Sequence, residues 1–257
     1  MTGARPPGRR TDAARMYHAL APYYDRLYAG KEYGEEVRAL AAIARRTLGR
    51  SPRSVLDVAC GTGRHLEEFA RTVPELAGID ASGAMLREAR RRLGPRASLV
   101  RADMRSFDLG RTFDLVVCLF SAIGHLRSAR DRAAAFAAFR RHVRPGGLLL
   151  VEGWIRPDRF RASGIYLQEY RGPDATIVRL SRSERRGALS RIEMQYLIGE
   201  PGRPVRHLRE LHEMPLVPVR AMLRELSRAG FRAGVRFGPV REWRDRGLYV
   251  GRRPPSD

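Results

Sequence analysis

The sequence predicts an α/β fold: a seven-stranded Rossmann-like sheet carrying an inserted antiparallel β cap. Three observations predict it. Strand-helix alternation runs through Leu56, Ile79, Leu99 and Val116 to a fifth apolar run, Leu148-Leu149-Leu150-Val151, which is the pattern of a parallel sheet with crossover helices. After Glu152 the pattern changes to four consecutive extended segments, 165–170, 176–181, 189–198 and 205–214, rich in β-branched and aromatic residues and separated by Gly, Pro or charged clusters. A helix over 217–229 and strands over 231–237 and 247–250 then complete the seven.

The remaining elements fall into place around these. Helical patterns cover 12–28 and 32–48, ahead of the first strand. Pro145-Gly146-Gly147 supplies a turn between the Ala-rich helix around 132–142 and strand five, and Gly230 stops the helix before it. The chain divides into a tail (1–10), N-terminal helices with the main part of the core (11–154), the cap (155–215), the end of the core sheet (216–252) and a second tail (253–257). Both tails are rich in Pro, Arg and Gly and are expected to be mobile.

Composition narrows the function classes. At 257 residues the chain exceeds one minimal domain and is short for two independent ones. Cys60 and Cys118 sit in apolar runs, so they read as buried reduced thiols, with no disulfide framework and no zinc site. No uncharged run reaches the length of a membrane helix, and residues 1–10 lack the apolar core of a signal peptide; a cytoplasmic location follows by default. The formal charge is +21, yet Lys31 is the sole lysine among 49 basic residues. The arginines are spread along the chain among many alanines, as biased coding would leave them, whereas a nucleic-acid footprint clusters on one face. A positive surface would still attract a phosphate-bearing substrate.

The chemistry is read from Val55-Leu56-Asp57-Val58-Ala59-Cys60-Gly61-Thr62-Gly63, a β-branched run passing through glycines into the helical pattern that starts at Arg64. Glycine at such a joint lets the backbone approach a ligand. A dinucleotide fingerprint needs a third glycine where Leu66 stands, and a phosphate-binding loop needs a lysine that is missing here. Asp57 would repel a pyrophosphate but receive the cationic amino group of methionine. The site therefore reads as one for S-adenosylmethionine (SAM). Asp80 ends the next apolar segment, where a carboxylate can accept from both ribose hydroxyls, and Asp103 ends a third, placed to hold the adenine amino group. The alternative makes Asp80 and Asp103 helix caps or turn residues.

Asp57 to Gly63, Asp80, Met85-Leu86, Asp103-Met104-Arg105 and Phe120-Ser121-Ala122-Ile123-Gly124-His125 together resemble the class I SAM-dependent methyltransferases. Within them the chain is most similar to bacterial N,N-dimethyltransferases of dTDP-linked amino sugars, which serve natural-product biosynthesis. The resemblance implies transfer of methyl from SAM, leaving S-adenosylhomocysteine, to the amine of a nucleotide-linked aminodeoxy sugar. It implies cofactor contacts from Tyr17, Asp57, Cys60, Gly61, Gly63, Asp80, Met85, Ala102, Asp103, Met104 and Leu119. Tyr24-Asp25-Arg26-Leu27-Tyr28 matches a family element that offers Tyr28 to the active site, His125 matches the histidine after strand four, and Trp154 and Arg246 match substrate positions, Arg246 facing phosphates. The sequence departs from the family in Asp80, where relatives often carry Glu, and in Gly153-Trp154-Ile155, which replaces a more aromatic run. A small-molecule substrate is the expected partner, with a homodimer left open. The competing readings are a methyltransferase for another small acceptor, a nucleic-acid methyltransferase and a SAM-binding protein without turnover.

Methyl transfer to an amine is an in-line displacement, and positioning supplies most of its acceleration. The amine must first lose its ammonium proton, so His125 is the first choice as acceptor or hydrogen-bond partner. Its alternative role is to cap the following helix. Tyr28 either hydrogen-bonds the amine or packs between aromatics, and Tyr17 either reaches the methionine carboxylate or packs. His65 is expected to face solvent or a neighbouring element. His207 and His212 are five apart, on opposite faces of a strand, and form no metal pair.

Overall fold

The computed structural model describes residues 19–255. Two helices come first, α1 (Ala21–Leu27) and α2 (Tyr33–Leu48); α2 ends at Gly49, whose φ of 72° is the left-handed conformation that closes a helix. The core then alternates β1 (Ser54–Val58), α3 (Arg64–Phe69), β2 (Glu75–Asp80), α4 (Gly83–Leu93), β3 (Ser98–Arg101), β4 (Phe113–Cys118), α5 (Ala129–His142) and β5 (Val143–Glu152). The cap follows as β6 (Ser163–Arg171), β7 (Thr176–Arg186), β8 (Leu189–Gly199) and β9 (Arg206–Pro215). The chain returns to the core through α6 (Val219–Arg228), β10 (Arg232–Arg236), the single turn α7 (Trp243–Arg246) and β11 (Leu248–Arg252).

The seven core strands lie in the order β10-β11-β5-β4-β1-β2-β3. β1 to β5 pair in parallel, and β11 runs antiparallel between β5 and β10. Alternation along the strands feeds two apolar layers. Leu56, Val116 and Leu149 face Phe136 and Phe139 of α5 with Met222 and Leu226 of α6. Val55, Leu115, Val117, Leu148 and Leu150 face α2, α3 and α4 through Leu40, Ile43, Leu66, Phe69, Leu86 and Leu93. The cap is a separate antiparallel meander in the order β6-β7-β8-β9. α1 bridges the two bodies. Leu20, Tyr23 and Leu27 pack on Ile177, Tyr196 and Ile198 of the cap, while Ala21 and Tyr24 meet Ala84 and Met85 at the start of α4.

Two expectations need correction. Pro145-Gly146-Gly147 does not precede strand five but lies within it, as an irregularity: Phe113 pairs with Val143 and Leu115 with Leu148, so the extra residues loop out, with Gly146 at φ 73°. The C-terminal end is also tied down. Arg252 pairs with Leu148, and Arg253 donates to the carbonyls of Arg140 and Val143. Backbone hydrogen bonds outweigh the local Pro and Arg content there. The tail at 1–10 and Tyr17 lie outside the described residues.

Candidate active site

The C-terminal ends of β1 and β2 form one wall of the site. Asp57, the penultimate residue of β1, is 1% exposed, and its Oδ2 has no hydrogen-bond partner among the described residues. Burial pushes its carboxyl up to about 7, with nearby Asp80 adding to the shift and His65 opposing it. Asp80 ends β2 and accepts from two backbone amides, Gly61 N to Oδ2 at 2.9 Å and Ser82 N to Oδ1 at 2.7 Å. Burial lifts its carboxyl while the two amides hold it down. Each carboxylate oxygen retains acceptor capacity, which two ribose hydroxyls would use.

The glycines between them have different tasks. Gly61 sits at φ 56°, with nothing within 4 Å of where a Cβ would stand. Gly63 sits at φ 79°, and there a Cβ would come within 2.9 Å of Leu93 and 3.2 Å of Ala89. Gly61 thus opens space beside the turn, and Gly63 lets α3 pack tightly on α4. The turn is clamped from above by α1: Asp25 accepts from Thr62 Oγ1 at 2.6 Å and also pairs with Arg92.

These residues fit SAM. A buried carboxylate with an orphaned oxygen calls for a cation, and the ammonium of a methionine moiety is one. Asp80 beside an open glycine turn suits a ribose. The other expected contacts are less direct. Cys60, Met85 and Leu119 are buried core side chains, and Ala102 and Met104 pack half-buried on the apolar layer beneath β3. Asp103 is bound into its own turn, accepting from Arg105 N at 2.9 Å and from the Arg105 guanidinium, which holds its carboxyl below the usual range. The turn role offered as its alternative is realised.

The opposite wall is shared by the cap and by core loops that face it. Between the cap's inner face, α1 and the core edge lies a cavity of about 810 Å³, lined by Tyr28, Phe120, His125, Trp154 and Arg246 among others. Phe120 and Ser121 both adopt left-handed φ, 51° and 59°, a strained pair that needs an external hold. Glu152 provides it. Its buried carboxylate accepts from Phe120 N at 3.0 Å, from Ser121 Oγ at 3.3 Å and from Arg246 Nη1 at 2.5 Å. The next turn, Ala122–His125, carries His125 to the cavity, and a Cβ on Gly124 would meet Met214 of β9 at 2.4 Å. His125 does not cap α5; the Ser128 hydroxyl does, accepting from Asp131 N at 2.9 Å. Burial, with His212 nearby, lowers the His125 imidazole to about 4, so it is neutral at pH 7.

Tyr28 packs among aromatics and also turns a hydroxyl to the cavity. Its ring meets Phe120 edge-on at 5.0 Å, and its hydroxyl accepts from Arg179 Nη1 at 3.0 Å. Trp154 Nε1 donates to Ser190 Oγ of β8 at 2.8 Å, fastening core to cap. Lys31 also lines the cavity, between the rings of Tyr33 and Phe120 and paired with Glu36. Of the remaining histidines, His65 is buried against α2 with Nε2 at 2.8 Å from Glu36, not in solvent. His207 is exposed, whereas His212 is buried on the cavity side, consistent with opposite faces. The sequence did not single out Glu152, Arg179, Tyr196 or Glu210. Glu152 offered a signal, an acidic strand end like Asp57, but the cap residues carry no motif.

A parallel sheet ending in acidic strand tips around a glycine turn, with β11 antiparallel at positions beside β5, defines a class I methyltransferase. Residues 55–147 match the methyltransferase domain family. The dTDP-3-amino-3,4,6-trideoxy-alpha-D-glucopyranose N,N-dimethyltransferase of Streptomyces venezuelae is 38% identical over 90% of this chain and 96% of its own. The dTDP-3-amino-3,6-dideoxy-alpha-D-glucopyranose N,N-dimethyltransferase of Streptomyces fradiae is 39% identical over 90% of each. The SAM-bound structure of an amino pentose methyltransferase from Micromonospora echinaspora superposes with a TM-score of 0.78 at 34% identity, covering 91% of this chain and 96% of that one. The chain belongs to the family of SAM-dependent dTDP-amino-sugar N,N-dimethyltransferases. Among the described residues no helix is long and apolar enough to cross a membrane.

Proposed function

We propose that this enzyme methylates the amino group of a dTDP-linked 3-aminodeoxy sugar, twice in succession. The observation that carries this reading is the single cavity joining the His125 turn to Lys31, Arg241 and Arg246. It has room for a nucleotide sugar, and its lining includes cations that suit a diphosphate and a neutral imidazole that suits an amine. The two Streptomyces relatives named above act on sugars whose amine is at position 3.

SAM, when bound, supplies a methyl already activated by its sulfonium. Asp57 holds the methionine ammonium and Asp80 the ribose. His125, neutral, accepts a hydrogen bond from the amine and aims its lone pair. Tyr28, whose oxygen is fixed by Arg179, donates its O–H to the sugar. Arg246, anchored on Glu152, turns its remaining N–H groups to phosphate, and Trp154 forms the wall beside it. Mass spectrometry with SAM and a panel of dTDP-amino sugars tests the proposal: a 3-amino sugar should gain two methyl units and a 4-amino sugar fewer, and no gain across the panel would refute it.

The partner reading extends to a second copy of the chain. Ile165, Leu167, Leu180 and Leu197 share the outer face of the cap sheet, and Ile165 is 70% exposed. Such a stripe suits an isologous contact, and light scattering reads the resulting mass. The buried free thiols Cys60 and Cys118 suit a reducing compartment, so we place the enzyme in the cytoplasm.

A further inference from the structure

His125 does not stand alone in the cavity wall. The His212 ring, from β9, lies 5.6 Å from it, centroid to centroid. His212 is 4% exposed, and its Nε2 is 3.2 Å from Glu210 Oε2, two residues back on the same face of β9. Tyr196 of β8 donates its hydroxyl to that same oxygen at 3.1 Å. Arg179 of β7 pairs with Tyr196 across the sheet and bonds Tyr28 of α1. A polar ladder thus runs across the cap's inner face, from the N-terminal helix to the acceptor site, and all its members line the cavity.

The ladder treats the two histidines differently. A carboxylate only accepts, so Nε2 of His212 carries the hydrogen given to Glu210 and Nδ1 carries the lone pair. A proton taken up there makes an imidazolium next to a carboxylate. A proton taken up by His125 makes a desolvated cation facing another imidazole, which is why its protonation is pushed down to about 4. The groups shown around His212 are Glu210 beside it, Tyr196 on the same Glu210 oxygen and His125 from the core turn, with Arg179 and Tyr28 further along the ladder. Of these only Glu210 is an acid.

We propose that His212, held by Glu210, takes the proton that the acceptor ammonium must lose, while His125 holds the amine. This rests on the amino-sugar reading above. In the step, one N–H bond of the ammonium breaks, its electron pair stays on nitrogen as the attacking lone pair, and the proton binds Nδ1 of His212. Nothing is oxidised or reduced. The proton leaves to solvent through the cavity before a second transfer, because a singly methylated ammonium must be deprotonated again. The cap thereby becomes part of the chemistry.

The test is the pH dependence of kcat and KM for the full chain with SAM and the dTDP-3-amino sugar, from pH 6.5 to 9.5. His212→Asn is expected to lower kcat at pH 7 by about 10²-fold with KM changed less than about threefold. The loss should shrink as pH rises past the amine's own pKa, about 8 to 10, where solvent has already removed the proton. Glu210→Gln is expected to lose about tenfold with the same recovery. His125→Asn should raise KM more than it lowers kcat and leave the profile's shape unchanged. A His212→Asn kcat within threefold of wild type at pH 7, or a loss that persists at pH 9.5, overturns the proposal. Thermal unfolding and S-adenosylhomocysteine binding check the fold; should His212→Asn not fold, Glu210→Gln decides by the same criterion. A wild-type enzyme inactive on every amino sugar overturns the amino-sugar reading as well, whereas an active wild type with an unaffected variant overturns only this one.

Discussion

The two walls of the site are built by different means. The cofactor wall is made of strand ends and backbone amides: Asp57 pairs with Gly78 and Asp80 with Arg101 in a fixed parallel register, and a glycine turn fills the gap. The acceptor wall is made of side chains alternating along a second sheet, with Arg179 opposite Tyr196 and Met194 opposite Glu210. A change at the first wall acts on the donor that every acceptor shares. A change at the second alters one rung of a ladder and leaves the core intact, so specificity can vary on the cap while the donor stays the same.

The comparison breaks most readily at Asp57. Asp57→Asn is expected to weaken SAM binding by about 10²-fold or more, as removing one partner of a buried charge pair does, read by calorimetry. The same change should stabilise the ligand-free protein at pH 8. With its folded value raised to about 7, Asp57 contributes stability that is present below the ordinary carboxylate range and lost as pH rises from about 4 to about 7. The unfolding temperature of the wild type should therefore fall across that window relative to Asp57→Asn. Binding of a cation beside Asp57 near pH 6.5 should release a proton, visible as a buffer-dependent binding enthalpy.

Next in size is Glu152→Gln. It leaves Arg246 beside a neutral amide and loosens the Phe120-Ser121 turn, so a loss of about 3 kcal/mol in unfolding free energy should accompany a raised KM for the nucleotide sugar. Gly124→Ala acts only on the second wall: the new methyl displaces Met214, and kcat/KM should drop about tenfold while SAM affinity stays within twofold. Smallest is Leu167→Arg on the outer cap face, expected to leave kinetics unchanged and halve the mass seen by light scattering.

The division between the walls also explains what the sequence could show. Strand alternation, the glycine turn and Asp57 are local patterns, because sheet register and burial impose them on neighbouring residues. Asp80 was legible as a strand end, though its backbone partners Gly61 and Ser82 were not. The cap strands were legible as extended segments, but which of their side chains meet the core depends on how α1 and the His125 turn dock, a relation between residues far apart in the chain, such as Tyr28 and Arg179, 151 apart. His212 accordingly read as one of a separated histidine pair. Arg253 read as tail for the same reason, since its partner Arg140 lies more than 100 residues away.

The central claim is that one wall delivers a methyl group from SAM to a sugar amine held by the other. Incubation of the purified chain with SAM and a dTDP-3-amino-3,6-dideoxyhexose, followed by mass spectrometry of the sugar nucleotide, tests it most directly. The account predicts a mono- and then a dimethylated product with matching S-adenosylhomocysteine; S-adenosylhomocysteine binding with no methyl gain on the amine would contradict it.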